Sequence, residues 1–306
     1  MTSESRPGSV GVSASRQRRK AYTAGRRLRR VMASQNVLSK QVATVVRGRW
    51  PGRGERWCLA VEDEFAELCI RYQARSVGVM RSRYGLVVDI QTQDGARLVV
   101  RASPDPGASA QHLVVIALAR LGIGPTVHEF TTTETGSWTI LDRIMPGTPI
   151  GDMQWRAIDF AAICAALRGL LGQPGPSAAL PSVCDWLRDR LEDDELTDLA
   201  PGTERPSPQE RQRGLAILHD LETSCVAGLC HGDASPWNIL LGSDGRMMLV
   251  DPRGVAGDVA YDVAVVALKA SSFVPLVHSV PRLAAVVGVD ADRVEAWAEL
   301  AAVARV

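Results

Sequence analysis

Apolar residues recur at helical spacing at Trp57, Val61, Phe65, Leu68 and Cys69, which predicts a helix over residues 55–73. Ahead of it, Leu38, Val42, Val45 and Val46 fall at i, i+4, i+7 and i+8 and predict a shorter helix, closed by Pro51-Gly52-Arg53-Gly54. The pattern then shortens. Leu86-Val87-Val88-Asp89-Ile90 and Arg97-Leu98-Val99-Val100-Arg101 read as strands joined by a turn at Gln93-Asp94-Gly95. A helix is expected at 108–121, and residues 137–144 read as a strand running into a turn at Met145-Pro146-Gly147-Thr148-Pro149. The rest reads mainly helical. Trp155, Ile158, Ala162, Cys164 and Leu167 mark one helix, and Val183, Trp186, Leu187 and Leu191 a second, which ends in Glu192-Asp193-Asp194-Glu195. A third is expected at 207–219, and Val294, Trp297, Ala298, Leu300 and Ala301 mark the last.

One stretch breaks the helical half. Ile239-Leu240-Leu241 and Met247-Met248-Leu249-Val250 flank Asp244-Gly245 and read as a β-hairpin. With Asp244 and Gly245 as the two central turn residues, Asn238 and Asp251 fall opposite each other at the mouth of the hairpin. An amide oxygen and a carboxylate placed together suit Mg²⁺, which takes one or two protein ligands beside phosphates and water. Asp233, five residues before Asn238, is then free to act as a base. In protein kinases a catalytic-loop Asp takes the hydroxyl proton, an Asn five residues on holds metal, and a following Asp holds the other metal.

His231-Gly232-Asp233, Asn238, Asp251-Pro252-Arg253-Gly254 and Gly257-Asp258-Val259-Ala260-Tyr261-Asp262 together resemble the aminoglycoside phosphotransferase family. The likeness is to the branch of streptomycin phosphotransferases and hydroxyurea phosphotransferase-like proteins, and it spans residues 54–265. It implies an α+β, two-lobed, protein-kinase-like fold, with a small N-terminal sheet lobe and a larger helical C-terminal lobe. It also implies ATP and Mg²⁺ as cofactors and a small-molecule hydroxyl as acceptor. By position, Asp233 is the catalytic base, His231 shapes its loop, Asn238 and Asp251 hold metal, and Asp262 braces the loop by accepting hydrogen bonds. The backbone near Arg143 and Ile144, at the hinge between lobes, would meet adenine. Arg81-Ser82-Arg83-Tyr84-Gly85 takes the place of a phosphate-covering loop, and Arg253 is a candidate phosphate contact. No Walker A pattern occurs. The implied organisation is a basic extension at 1–53, a nucleotide-binding lobe at 54–144 and a catalytic and acceptor-binding lobe at 145–306.

Arg101 departs from the family pattern. Related kinases place a Lys on this strand, paired with a Glu on the next helix. The chain has three lysines, Lys20, Lys40 and Lys269, and none can fill that place. Arg101 is the remaining occupant, and the helix at 108–121 carries no acid, so Gln111 or His112 is the nearest partner. Arg binds phosphate bidentately but is not interchangeable with Lys. The alternative function is therefore a nucleotide-binding pseudokinase or basic-tailed binding protein without transferase activity. Protein phosphorylation is disfavoured, because Gly257-Asp258 follows Asp251 almost at once.

A net charge of +1 conceals an asymmetry: residues 1–56 hold 14 Lys or Arg against Glu4 and Glu55. The first 35 residues are rich in Ser, Gly and Arg and are expected to be disordered. Arg16, Arg18, Arg19 and Lys20 form one basic cluster, and Arg26, Arg27, Arg29 and Arg30 another. Three readings stay open: electrostatic contact with nucleic acid or anionic surfaces, a targeting segment, or the bland one, a solvated extension or an over-long start with translation at Met32. The last is favoured. Glu192–Glu195 reads as a solvated helix end, with attraction of a cationic substrate as the alternative. No run of apolar residues is long enough to span a membrane. Six cysteines without a Cys-x-x-Cys pair read as reduced thiols of a cytoplasmic protein rather than a zinc site. The 44 residues after Asp262 look short for the family's helical wall around an acceptor.

Overall fold

A computed structural model describes residues 37–153, 160–199, 202–271 and 275–306. The basic clusters before Met32, and Trp155 and Ile158, lie outside the described residues. The architecture is α+β. An antiparallel sheet with α-helices against it forms the N-terminal part, and helices dominate the C-terminal part.

Helix α1 (Lys40–Arg49) starts where the Ser39 hydroxyl accepts from the Val42 amide, and α2 (Arg53–Arg71) follows. Strands β1 (Ala74–Val79), β2 (Leu86–Thr92), β3 (Arg97–Ser103), β4 (Val127–Thr132) and β5 (Ser137–Asp142) make one sheet in the order β1-β2-β3-β5-β4. Between β3 and β4 lies α3 (Ala108–Arg120). Trp57, Val61, Phe65, Leu68 and Cys69 of α2 are all buried, against Val88, Ile90, Val100, Trp138 and Ile140 of the sheet. The Trp138 indole donates to Glu64 Oε2 at 2.6 Å, which seats its polar edge within this packing. Val37 and Val46 belong to the same cluster, so a boundary drawn between residues 53 and 54 cuts through a packed core.

The two edge strands were not legible in the apolar pattern. Only Ala74 is buried in β1, and no residue of β4 is. An edge strand with little buried surface has no alternation to display.

The second half contains β6 (Pro146–Pro149), α4 (Phe160–Arg168), α5 (Val183–Glu192), α6 (Pro208–Glu222), β7 (Gly228–Leu229), β8 (Ile239–Gly242), β9 (Met247–Leu249), β10 (Ala256–Gly257), α7 (Val259–Lys269), α8 (Leu276–Val287) and α9 (Ala291–Val303). Helix α7 is its centre, buried without a break from Val259 to Ala267 and packed against α8 and α9. Helix α6 begins in a capping box, Ser207 with Glu210, and has Pro208 in its first turn. Val114 and Leu118 of α3 pack into this helical cluster, so α3 joins the two halves. Among the described residues no helix is long and apolar enough to cross a membrane.

Candidate active site

The segment from Cys230 to Asn238 connects β7 to β8 and carries Asp233. It is held from below. Asp262, on the first turn of α7 and wholly buried, accepts the His231 amide on Oδ2 and the Gly232 amide on Oδ1, both at 2.8 Å. Burial raises the Asp262 pKa, offset in part by the hydrogen bonds from the His231 and Gly232 amides. Gly232 sits at φ 78, where a Cβ would lie 2.6 Å from Val255 Cγ2. Only glycine meets both demands at low cost.

His231 is also wholly buried. Its Nδ1 accepts from the Asp233 amide at 3.3 Å and its Nε2 lies 2.9 Å from the Val250 carbonyl. That pair of contacts requires a neutral ring with its proton on Nε2. His231 thus fixes the start of the Asp233 loop to the end of the hairpin. Asn238 closes the other end, its Nδ2 donating to the Asp233 carbonyl at 2.9 Å. With Nδ2 committed to the loop, Oδ1 is the atom that could ligate a metal.

The hairpin register differs from the sequence expectation. Ile239 pairs with Leu249, Leu240 with Met248 and Leu241 with Met247, and the Gly242 amide donates to the Arg246 carbonyl at 2.8 Å. The turn therefore has three residues, Ser243-Asp244-Gly245, with Gly245 at φ 77. A left-handed glycine closing a three-residue loop is a favoured alternative to the two-residue turn. Asn238 consequently stands opposite Val250, whose amide donates to its carbonyl at 2.9 Å, and not opposite Asp251. Asp251 lies one residue further on and adopts φ 57. This leaves the strand conformation, so its carboxylate does not follow the alternation of the hairpin. Asn238 and Asp251 remain at the same end of the hairpin, and the Asp251 side chain is about half exposed at 52%.

Arg101 on β3 reaches that end. Its Nη2 lies 2.7 Å from Asp251 Oδ1, and its Nη1 donates to Gln111 Oε1 at 2.9 Å. Gln111 Nε2 in turn donates to Asp105 Oδ2 at 2.9 Å. Of the two partners the sequence offered, the structure uses Gln111, while His112 stacks on Phe130 at 4.1 Å. Asp105 is the residue that sequence reasoning missed. It supplies, from the turn ahead of α3, the negative charge the helix lacks. The signal was present in Pro104-Asp105-Pro106-Gly107, where Asp105 Oδ1 accepts the Gly107 amide at 2.7 Å.

Arg253 turns towards Asp233, not Asp251. Its Nη2 lies 3.4 Å from Asp233 Oδ2, its Nε donates to the Gly232 carbonyl at 3.1 Å, and its guanidinium lies 4.1 Å over the Trp186 ring. Gly254, at φ 83, lets this segment touch α3; a Cβ there would fall 2.5 Å from the Gln111 amide nitrogen. At the link from β5 to β6, the Arg143 amide donates to the Arg97 carbonyl at 3.1 Å. The Arg143 guanidinium folds back onto the Ile144 carbonyl, its Nη2 reaching the Pro146 carbonyl at 3.4 Å. The acidic run closes α5, with Asp194 paired to Arg211 at 2.7 Å. Among the described residues no group of three or more His, Cys, Asp or Glu could hold a metal ion.

A sequence model of the phosphotransferase enzyme family matches residues 83–302. A comparison with curated proteins finds no significant match. Among solved structures, the chain is similar to an aminoglycoside-3′-phosphotransferase of type VIII, at 21% identity and a TM-score of 0.53, over 78% of this chain and 97% of that one. It is similar to a choline/ethanolamine kinase family protein from Mesorhizobium loti, at 15% identity and 0.58, over 80% and 83%. A macrolide 2′-phosphotransferase type I gives 15% and 0.52, over 80% and 89%. At these identities the structural likenesses establish the kinase-like fold alone.

Proposed function

The chain belongs to the phosphotransferase enzyme family, and from that premise we propose that it moves the γ-phosphoryl group of ATP, with Mg²⁺, to a hydroxyl of a small molecule. The observation that carries this reading is the Asp233 loop, clamped by Asp262, His231 and Asn238 beside Asp251. Asp233 accepts the proton of the acceptor hydroxyl. Arg253, at 3.4 Å, orients that carboxylate. Asn238 Oδ1 and the Asp251 carboxylate are hard oxygen donors of the kind and number that Mg²⁺ takes from proteins. A bound Mg²⁺ would offset charge on the β- and γ-phosphates. Arg101, held by Gln111, faces the same end and is the candidate phosphate grip; the backbone at Arg143 and Ile144 would border adenine.

The similar structures are named for aminoglycosides, macrolides and choline or ethanolamine, and only their shared class, a small molecule with a hydroxyl, is carried over. An aminoglycoside such as streptomycin, and hence antibiotic resistance, is the candidate that the sequence resemblance adds. Six cysteines with no disulfide between them support a reducing, cytoplasmic setting.

The test is ATP consumption by purified protein with Mg²⁺ across aminoglycosides, hydroxyurea and simple amino alcohols. Asp233→Asn should lower turnover by about 10²–10⁴, the usual share of a general base. Unchanged turnover by that variant would sink the mechanism. One observation favours the second reading, a nucleotide-binding pseudokinase: Arg101 occupies the Asp251 carboxylate at 2.7 Å. Calorimetric titration of ATP with and without Mg²⁺ separates the two. Tight binding with no benefit from Mg²⁺ and no turnover on the panel would select the pseudokinase.

A further inference from the structure

We infer that residues 197–199, which follow α5, form a strap that ties the β1–β2 loop to the catalytic base, and that Asp198 is a positioning residue of the reaction. This rests on the function proposed above, in which Asp233 is the base, and on the family resemblance, which gives residues 81–85 of the β1–β2 loop the place of a phosphate-covering loop.

The upper end of the strap lies on the sheet half. Arg83 Nη2 donates to the Leu199 carbonyl at 2.8 Å, and the Tyr84 hydroxyl reaches the Asp198 carbonyl at 3.5 Å. The Tyr84 ring meets Trp50 edge-on at 6.1 Å. From the end of α1, Arg49 Nη1 donates to Thr197 Oγ1 at 2.7 Å, and its Nη2 lies 4.0 Å from Asp198 Oδ2. Apart from the Trp50–Tyr84 ring contact, these contacts join residues more than a hundred positions apart, so they are not imposed by local chain geometry.

The lower end runs into the helical half. Both Asp198 oxygens accept from Arg190 Nη1, at 2.8 and 2.7 Å. Arg190 is buried, and its other donors are spent on the Ala304 and Arg305 carbonyls at 2.7 and 2.8 Å. A buried guanidinium with every edge bonded is a fixed post, because moving it would strand a charge. The Arg190 guanidinium lies 5.6 Å over the Trp186 ring, one helical turn back on α5, and Arg253 lies 4.1 Å over the same ring. Arg253 then reaches Asp233. The path Arg83–Leu199–Asp198–Arg190–Trp186–Arg253–Asp233 is thus made of hydrogen bonds, ion pairs and cation–π contacts, joined by the one peptide bond between Asp198 and Leu199. Arg190 also keeps the Asp198 carboxyl below its ordinary range, although burial alone would raise it. The cover over the phosphates and the cation that orients the base therefore shift together.

The test is hydrogen exchange of the backbone amides of residues 80–86 in the nucleotide-free protein, wild type against Asp198→Ala. Loss of the link should speed their exchange about fivefold, the factor carried by one net hydrogen bond. Arg83→Ala, on an exposed side chain, should speed exchange at 196–199 in return, and it serves if Asp198→Ala does not fold. In turnover assays each variant should raise the KM for ATP and lower kcat, and the double variant should be no worse than the poorer single one. Unchanged exchange at both segments, or effects that multiply as independent losses, would overturn the strap. A wild type that turns over nothing would overturn the proposed function instead, while the exchange measurement still decides the link.

Discussion

Replacing Asp262 by Ala should cost the protein a large part of its stability. Asp262 is wholly buried and accepts two backbone N–H groups at 2.8 Å. Hydrogen bonds to a charged acceptor are worth about 1.5–3 kcal/mol each, so two give about 3–6 kcal/mol. The two donors left behind, His231 and Gly232, lie in a segment that water does not reach. Burial opposes the charge itself, which is why the Asp262 pKa is raised, and the loss should sit at the low end, about 3 kcal/mol. Against a total of about 5–15 kcal/mol this is a large share. Asp262→Asn keeps one acceptor but points an NH₂ at the other amide, so it should not restore the wild-type value. Urea unfolding followed by tryptophan fluorescence measures both. The pH dependence adds a check on sign. With a raised folded pKa, the contribution of Asp262 is full below the unfolded carboxyl pKa and declines as pH rises towards the folded one. The difference between wild type and Asp262→Ala should therefore widen as pH falls towards the unfolded pKa. A loss under about 1 kcal/mol would refute the assignment of Asp262 as the anchor of the catalytic loop.

Two further outcomes are expected. Gly254→Ala places a Cβ 2.5 Å from the Gln111 nitrogen at φ 83; a left-handed Ala costs about 1–2 kcal/mol in any setting, and here α3 must also retreat, taking Gln111 from Arg101. Calorimetry should then show ATP affinity falling in a variant that still melts cooperatively, and unchanged affinity would contradict the described contact. Glu210 is held at a pKa of about 2 by the Ser207 amide and hydroxyl and by Arg305. Its folded pKa is depressed, so its contribution is present above the unfolded carboxyl pKa and lost as pH falls through the folded one. Melting temperatures of wild type and Glu210→Gln should converge between about pH 5 and pH 2, and a gap that persists at the acid end would refute it.

The parts legible in the sequence were those where one face is buried and the other is not. The α2 positions Trp57, Val61, Phe65, Leu68 and Cys69 stood out because a single stripe meets the sheet. Strands β2 and β3 stood out because both lie inside the sheet. Asp262 as a brace was implied by the family resemblance, and Gln111 as an alternative partner of Arg101 by its place on the helix after β3. The hairpin register could not, since turns of two and three residues both place Gly245 near the tip and differ only in backbone angles. Asp105, Asp198 and Trp186 also went unread. Asp105 has a turn signal, but its bond to Gln111 depends on side-chain conformation, while Asp198 and Trp186 act through partners as distant as Tyr84, Arg49 and Arg253, pairings that a single sequence does not display.

The ion pair between Arg101 and Asp251 has a consequence for how the cleft behaves when it is empty. Under the proposed function Arg101 is the candidate phosphate grip and Asp251 the candidate metal ligand, and here the two neutralise each other across 2.7 Å. Such a cleft is internally screened and offers neither a bare positive charge to stray anions nor a bare negative one to stray divalent ions. Under the proposed function, a nucleotide that arrives with its own cation would exchange partners with this pair, phosphate taking Arg101 and metal taking Asp251, so that neither side chain is left without a counter-charge. Entry then becomes a swap of counter-ions, favouring a ligand that brings both signs at once over either ion alone.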